Sequence, residues 1–85
     1  MTSLGDLGLG DGAEVRFRRR DGGRWHVGVA ERVERDGSLR VRDRKGAARA
    51  IPITLVEVSR RGPRGGTVWV PLTTVAATTE QLRLL

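Results

Sequence analysis

Arginine recurs at every second position in two short runs. Arg16 and Arg18 bracket Phe17, and Arg40 and Arg42 bracket Val41. A guanidinium is permanently charged and presents its N–H donors in a planar fork, which matches phosphate oxygens two at a time and also stacks on bases. Arg20 and Arg44 stand beside turns, and Arg60, Arg61 and Arg64 converge on one glycine-rich loop. The chemistry on offer is anion binding. Bond-making chemistry has no such constellation. His26 is the only histidine, and Ser3, Ser38 and Ser59 fall in loop-like contexts with no base beside them. Asp21, Asp36 and Asp43 sit at turns, where local hydrogen bonding accounts for an aspartate. The sequence gathers no metal-ligating cluster and contains no cysteine. The chain is therefore expected not to be an enzyme and to need no cofactor or metal, with His26 a surface residue.

The elements that would carry these arginines follow from period-two patterning. Alternation puts Val15 and Phe17 on one strand face with Arg16 and Arg18 on the other, and it separates Leu39 and Val41 from Arg40 and Arg42 in the same way. Strands are expected over 13–19, 24–34, 39–43, 47–51, 56–59 and 67–70. They are separated by Asp21-Gly22-Gly23, Asp36-Gly37, Arg44-Lys45-Gly46, a single helical turn over 53–55 after Pro52, and the loop 62–66. In the long second strand Trp25, Val27, Val29 and Val33 share one parity, with the small residues Gly28 and Ala30 on the other. The expected core is Val15, Phe17, Trp25, Val27, Val29, Val41, Ile51 and Val56. Trp69 is either a plug in that core or an exposed stacking platform, and the core is favoured because aromatics carry much of a small core's burial.

The fold class is thus all-β, a small barrel of five or six strands over 13–72. Residues 1–12, with four glycines among isolated leucines, are expected to be a flexible lead-in, although Leu7 or Leu9 is placed to cover one end. Residues 73–85 form a tail, a frayed strand or a short helix capped by Thr78 or Thr79 with Leu82 and Leu85 on one side.

Eighty-five residues make one domain with a modest core, about two-thirds of the unfolded surface being buried at this size. Sixteen basic residues against ten acidic give a net charge of +6, and all the basic residues but Lys45 are arginine. That skew is what a high-GC genome, such as a bacterium's, produces; the positive excess is not explained that way and points to an acidic partner. The absence of cysteine fits a reducing cytoplasm. Residues 1–12 have neither the basic start nor the apolar run of a signal peptide, and no stretch approaches the roughly 18 apolar residues of a membrane span, so neither secretion nor a membrane partner is expected.

A family pattern runs through Gly12 to Val58. Trp25-x-x-Gly28-Val29, Asp36-Gly37, Val41-x-Asp43-x-x-Gly46 and Ile51-Pro52-x-x-x-Val56 together resemble a Tudor-type domain, a small barrel of the Src-homology-3-like kind. The resemblance implies that fold, and in related bacterial small barrels it implies binding of nucleic acid or of other proteins. Methyl-reading Tudor domains surround a quaternary ammonium with several aromatics. Here only Phe17 and Trp25 lie in the barrel, and the position after Asp43, often Tyr in the family, is Arg44, so no such cage is expected.

Two functional readings remain. The first is a nucleic-acid-binding module, for DNA or RNA, that grips phosphates with Arg16, Arg18, Arg20, Arg40, Arg42, Arg44, Arg60, Arg61 and Arg64 and reads little sequence. The second is a protein-interaction module, an adaptor or accessory subunit, docking through a sheet edge or the C-terminal tail. Cross-strand pairing with Glu14, Glu31, Glu34 and Glu57 would neutralise part of the basic face. The loop 62–66 lacks the spacing of a phosphate-binding P-loop and reads as a tight turn.

Overall fold

A computed structural model describes residues 2–83. It contains six strands, β1 (Glu14–Phe17), β2 (His26–Val33), β3 (Leu39–Asp43), β4 (Ala48–Ile51), β5 (Val56–Arg61) and β6 (Thr67–Pro71). A helix, α1 (Leu72–Arg83), follows β6, and single 3-10 turns cover Gly5–Leu7 and Ile53–Leu55. All neighbouring strands are antiparallel, in the order β4-β3-β2-β1-β5-β6. Among the described residues no helix is long and apolar enough to cross a membrane.

The sheet is not closed into a barrel, contrary to the expectation from sequence. β4 and β6 remain at opposite ends of the strand order and do not pair. Pro52 ends β4, and the 3-10 turn that follows leads into β5, which joins β1. One face of the sheet still gathers a single core from β1, β2, β3, β4 and β5: Val15, Phe17, Ala30, Val33, Leu39, Val41, Ile51, Val56 and Val58 are buried together with Leu72 of α1.

The phase of β2 differs from the expected one. Val15 pairs with Gly28 and Phe17 with His26, so Gly28 and Ala30 face the core while Val27 and Val29 face outward. A Cβ at Gly28 would lie 2.5 Å from the Arg42 carbonyl oxygen and 3.3 Å from Phe17 Cε1. Only glycine fits there, between the Arg42 carbonyl and the phenylalanine ring. The register then slips between Ala30 and Arg32, a bulge at Glu31, and Val33 returns to the core opposite Leu39. Of the expected core, Val15, Phe17, Val41, Ile51 and Val56 are buried, whereas Trp25 and Val27 are only partly covered and Val29 is 40% exposed.

The chain ends add more to the core than the alternation could show. The Gly5–Leu7 turn follows a reciprocal pair of hydrogen bonds, from Ser3 N–H to the Asp6 carboxylate and from Asp6 N–H to the Ser3 hydroxyl. Leu4, Leu7 and Leu9 of this expected lead-in are buried, so both leucines named as candidates cover the core, joined by a third. Gly8, left-handed at φ 81°, allows α1 to lie directly on the turn: a Cβ there would overlap the Thr79 hydroxyl and touch Val75. Helix α1 starts at Leu72, six residues before the expected caps. Thr78 and Thr79 lie inside it and donate to the carbonyls of Thr74 and Val75, at 3.0 and 2.9 Å. Leu72 is buried, Val75 and Ala76 pack against the core, and Leu82 is exposed; Leu85, expected beside Leu82, lies outside the described residues.

Phe17→Ala is expected to destabilise the domain by about 3–5 kcal/mol, enough to unfold most of it. Gly28→Ala should also lower the melting temperature, because the added methyl meets backbone at 2.5 Å. Val29→Thr should change stability by no more than about 0.5 kcal/mol, as exposed substitutions do. Thermal melts of the three variants check the phase of β2, and a large loss for Val29→Thr would contradict it.

Candidate nucleic-acid interface

The alternate residues of the strands build the outer face. Arg16 lies between Val27 of β2 and Glu57 of β5 in the cross-strand register. Its Nε donates to Glu57 at 2.7 Å, and a terminal nitrogen binds the same oxygen. The guanidinium carbon sits 4.4 Å from the centre of the Trp25 ring and 5.1 Å from that of Trp69, while Arg18 sits 4.5 Å from Trp25. Trp69, expected in the core, instead pairs with Ser59 on the outer face, and both tryptophans serve as aromatic platforms for arginine.

The arginines of this face share it as the alternation predicted, but each has a carboxylate partner. Arg18 donates to Asp21 at 2.9 Å. Arg40 lies 3.6 Å from both Glu31 and Glu34, and Arg42 donates to Glu31 at 3.1 Å. Arg42 also donates to the Gly46 carbonyl. Exposed pairs of this kind add at most about 1 kcal/mol each to stability, yet they offset much of the charge a ligand would meet.

Uncompensated charge collects on the turns. Arg19, Arg20 and Arg24 belong to the β1–β2 connection, and Arg44 and Lys45 to the β3–β4 turn. No ion pair involves any of these five among the described residues. The meander brings the two turns to the same end of the sheet, since Phe17 and His26 close one hairpin while Asp43 and Ala48 flank the other. Between them opens a cleft of about 300 Å³ lined by Arg19, His26, Asp43, Arg44, Lys45 and Arg49. His26 is held by a stacked contact with Phe17, 5.7 Å between centroids. Asp43 is the one carboxylate of that lining, and its oxygens are engaged: it accepts from the N–H groups of Lys45 and Ala47, each at 2.9 Å, and lies 3.5 Å from Arg49.

The nine arginines singled out from sequence therefore separate into four environments. Arg20 and Arg44 stand at the cationic end. Arg16, Arg18, Arg40 and Arg42 are paired on the sheet. Arg60 is partly buried and donates to the Gly8 carbonyl at 2.9 Å, tying β5 to the N-terminal turn. Arg61 and Arg64 lie at the β5–β6 turn, beyond the opposite end of β1, with no ion pair among the described residues. The loop 62–66 is a tight turn, closed by Gly62 N–H to the Gly66 carbonyl at 2.6 Å. Sequence reasoning passed over Arg19, His26, Lys45 and Arg49 as site residues. The signal for the first and third was present, as basic residues beside the glycine turns of the first and third hairpins, which share one end of the meander.

The Ala47 N–H, then the Lys45 N–H and Arg49, hold the Asp43 carboxyl below its ordinary value of 3.8. A carboxylate favoured in the folded turn contributes fully above that ordinary value and is lost as pH falls through its lower folded value. In an acid titration the Lys45 and Ala47 amide resonances should move together with a midpoint below 3.8. Asp43→Asn should abolish that step, whereas a midpoint above the ordinary value would contradict the hydrogen-bonded turn.

Comparison of the chain with protein-family models, with curated proteins and with solved structures finds no match.

Proposed function

We propose that this chain is a small nucleic-acid-binding module of the Src-homology-3-like, Tudor-type kind, which grips phosphates with the cations of its β1–β2 and β3–β4 turns. One observation carries the reading: Arg19, Arg20, Arg24, Arg44 and Lys45 gather at one end of the sheet with no ion pair among the described residues, while Arg16, Arg18, Arg40 and Arg42 of the sheet face are paired. Free guanidiniums and an ammonium on exposed turns release counterions from a phosphate backbone, and that release gives salt-sensitive affinity with little dependence on sequence. The two hairpin turns act as a forked clamp, with Arg49 and His26 on the floor between them. The Tudor-type assignment draws on the motif resemblance and on an antiparallel meander followed by a 3-10 turn and a fifth strand that returns to the first. Phe17 is buried and Trp25 is covered by Arg16 and Arg18, so these aromatics offer no cage for a methylated ammonium.

Charge reversal tests the clamp. Arg19→Glu with Arg44→Glu should keep the β-sheet spectrum and weaken binding to duplex DNA, single-stranded DNA or RNA to a similar degree across base sequences. On duplex DNA the slope of log affinity against log salt should fall by about 0.9 for each phosphate that is no longer neutralised. Arg40→Glu with Arg42→Glu should weaken binding far less, because those side chains already sit against Glu31 and Glu34. If the unaltered protein binds none of the three polymers at low salt, the proposal fails.

A further inference from the structure

We propose that the free edge of β6 is a strand-addition site for an extended segment of a partner protein that alternates apolar and acidic residues. This surface is separate from the cationic clamp and lies at the other end of β1.

The sheet has two outer strands, β4 and β6. Exposed edges invite pairing with other chains, and folded proteins blunt them with charges, prolines or bulges. β4 carries Arg49 and is cut short by Pro52. β6 reads Thr67-Val68-Trp69-Val70 and bears no charge before Pro71.

Backbone accounting identifies which groups are open. The hydrogen bond from Gly62 N–H to the Gly66 carbonyl sets the phase of the hairpin ladder. In an antiparallel pair hydrogen-bonded and non-bonded pairs alternate. Arg60 with Val68 and Val58 with Val70 are therefore bonded pairs, and Pro71, which has no N–H, falls opposite Glu57 at a non-bonded one. The N–H and C=O groups of Thr67 and Trp69 consequently point away from β5, toward the open edge. Beside them Val68 is 41% exposed, and a shallow groove of about 290 Å³ runs along Gly62, Pro63, Thr67 and Val68.

Charge selects the occupant. Arg61 stands opposite Thr67 and Arg64 lies in the adjoining turn, neither with an ion pair among the described residues. A second copy pairing antiparallel through β6 would bring these cations against the start of the other copy's α1, whose first turn holds no acidic residue. Two chains of net charge +6 have nothing complementary to exchange there. An incoming strand with acidic side chains toward Arg61 and Arg64 and apolar ones toward Val68 does.

The test uses the full chain, isotope-labelled for amide exchange, with a short synthetic peptide alternating Val and Glu and a second alternating Val and Lys. With the first peptide, exchange of the Thr67 and Trp69 amides should slow by at least about tenfold, as expected for amides newly hydrogen-bonded in a ladder, while the amides of β4 stay unchanged. Thr67→Pro removes an outward N–H at the first residue of the strand without touching a bond to β5, and should abolish this protection with the sheet spectrum intact. Arg61→Glu should weaken binding several-fold and leave the fold as it is. The proposal is overturned if the Val–Glu peptide leaves both amides unprotected, if the Val–Lys peptide protects them equally, if Thr67→Pro binds like the parent, or if the protein alone self-associates through β6.

Discussion

The arrangement depends on one packing constraint, the Phe17 ring seated against the bare backbone of Gly28. Phe17 is the largest of the fully buried side chains and the only phenylalanine in the chain. It projects from the central β1 beside β2, and its ring together with the Arg42 carbonyl excludes a side chain at Gly28. That exclusion sets which residues of β2 point inward. Gly28 and Ala30 go to the core, and Val27 and Val29 go to the outer face. The same outer position of the chain at Trp25 brings its ring under Arg16 and Arg18. The surface chemistry of the sheet is thus a consequence of how its core is filled.

Electrostatics then divides along structural lines. On the sheet, the regular cross-strand spacing sets arginine beside glutamate, as Arg16 meets Glu57 and Arg42 meets Glu31. Turns offer no such lattice. Their aspartates are occupied locally: Asp36 accepts from the hydroxyl and N–H of Ser38, which hold its carboxyl below the ordinary range, and Asp43 accepts from Lys45 and Ala47. Carboxylates engaged in holding turn backbone do little to neutralise the cations that the same turns present. Much of the positive excess of the composition therefore emerges at the turns, where the cations lack carboxylate partners among the described residues.

Much of the architecture was legible in the sequence because its signals are local. Glycine and proline punctuate the hairpins, and the third strand and the 3-10 turn after Pro52 fall where the residues place them. The core was legible where strict alternation holds, at Val15, Phe17, Val41, Ile51 and Val56. It was illegible in β2, because a bulge at Glu31 inverts the phase halfway along and a bulge leaves no compositional mark. Val33 looked like a partner of Val27 and Val29, but the slipped register separates them. Leu39 and Val58 follow the alternation of Val41 and Val56, whereas the burial of Leu4 and Leu72 comes from tertiary packing that no short window contains. At the candidate interface the arginines could be counted and Glu31, Glu34 and Glu57 named as partners, but which guanidinium each meets could not be read. Whether Arg40 is free depends on Glu31 and Glu34, which reach it only through the β2–β3 register.

Helix α1 rests on the 3-10 turn at Gly8, through Val75 and Thr79, and Arg60 of β5 binds the carbonyl of that same glycine. The earliest and latest described segments of the chain are therefore each other's cover. Leu4, Leu7 and Leu9 precede the helix that shields them by more than sixty residues of chain. These contacts have the greatest sequence separation in the fold, the kind that slows folding. Without Val75 and Thr79 in place, the turn at Gly8 and the leucines around it lose the cover that the helix gives them.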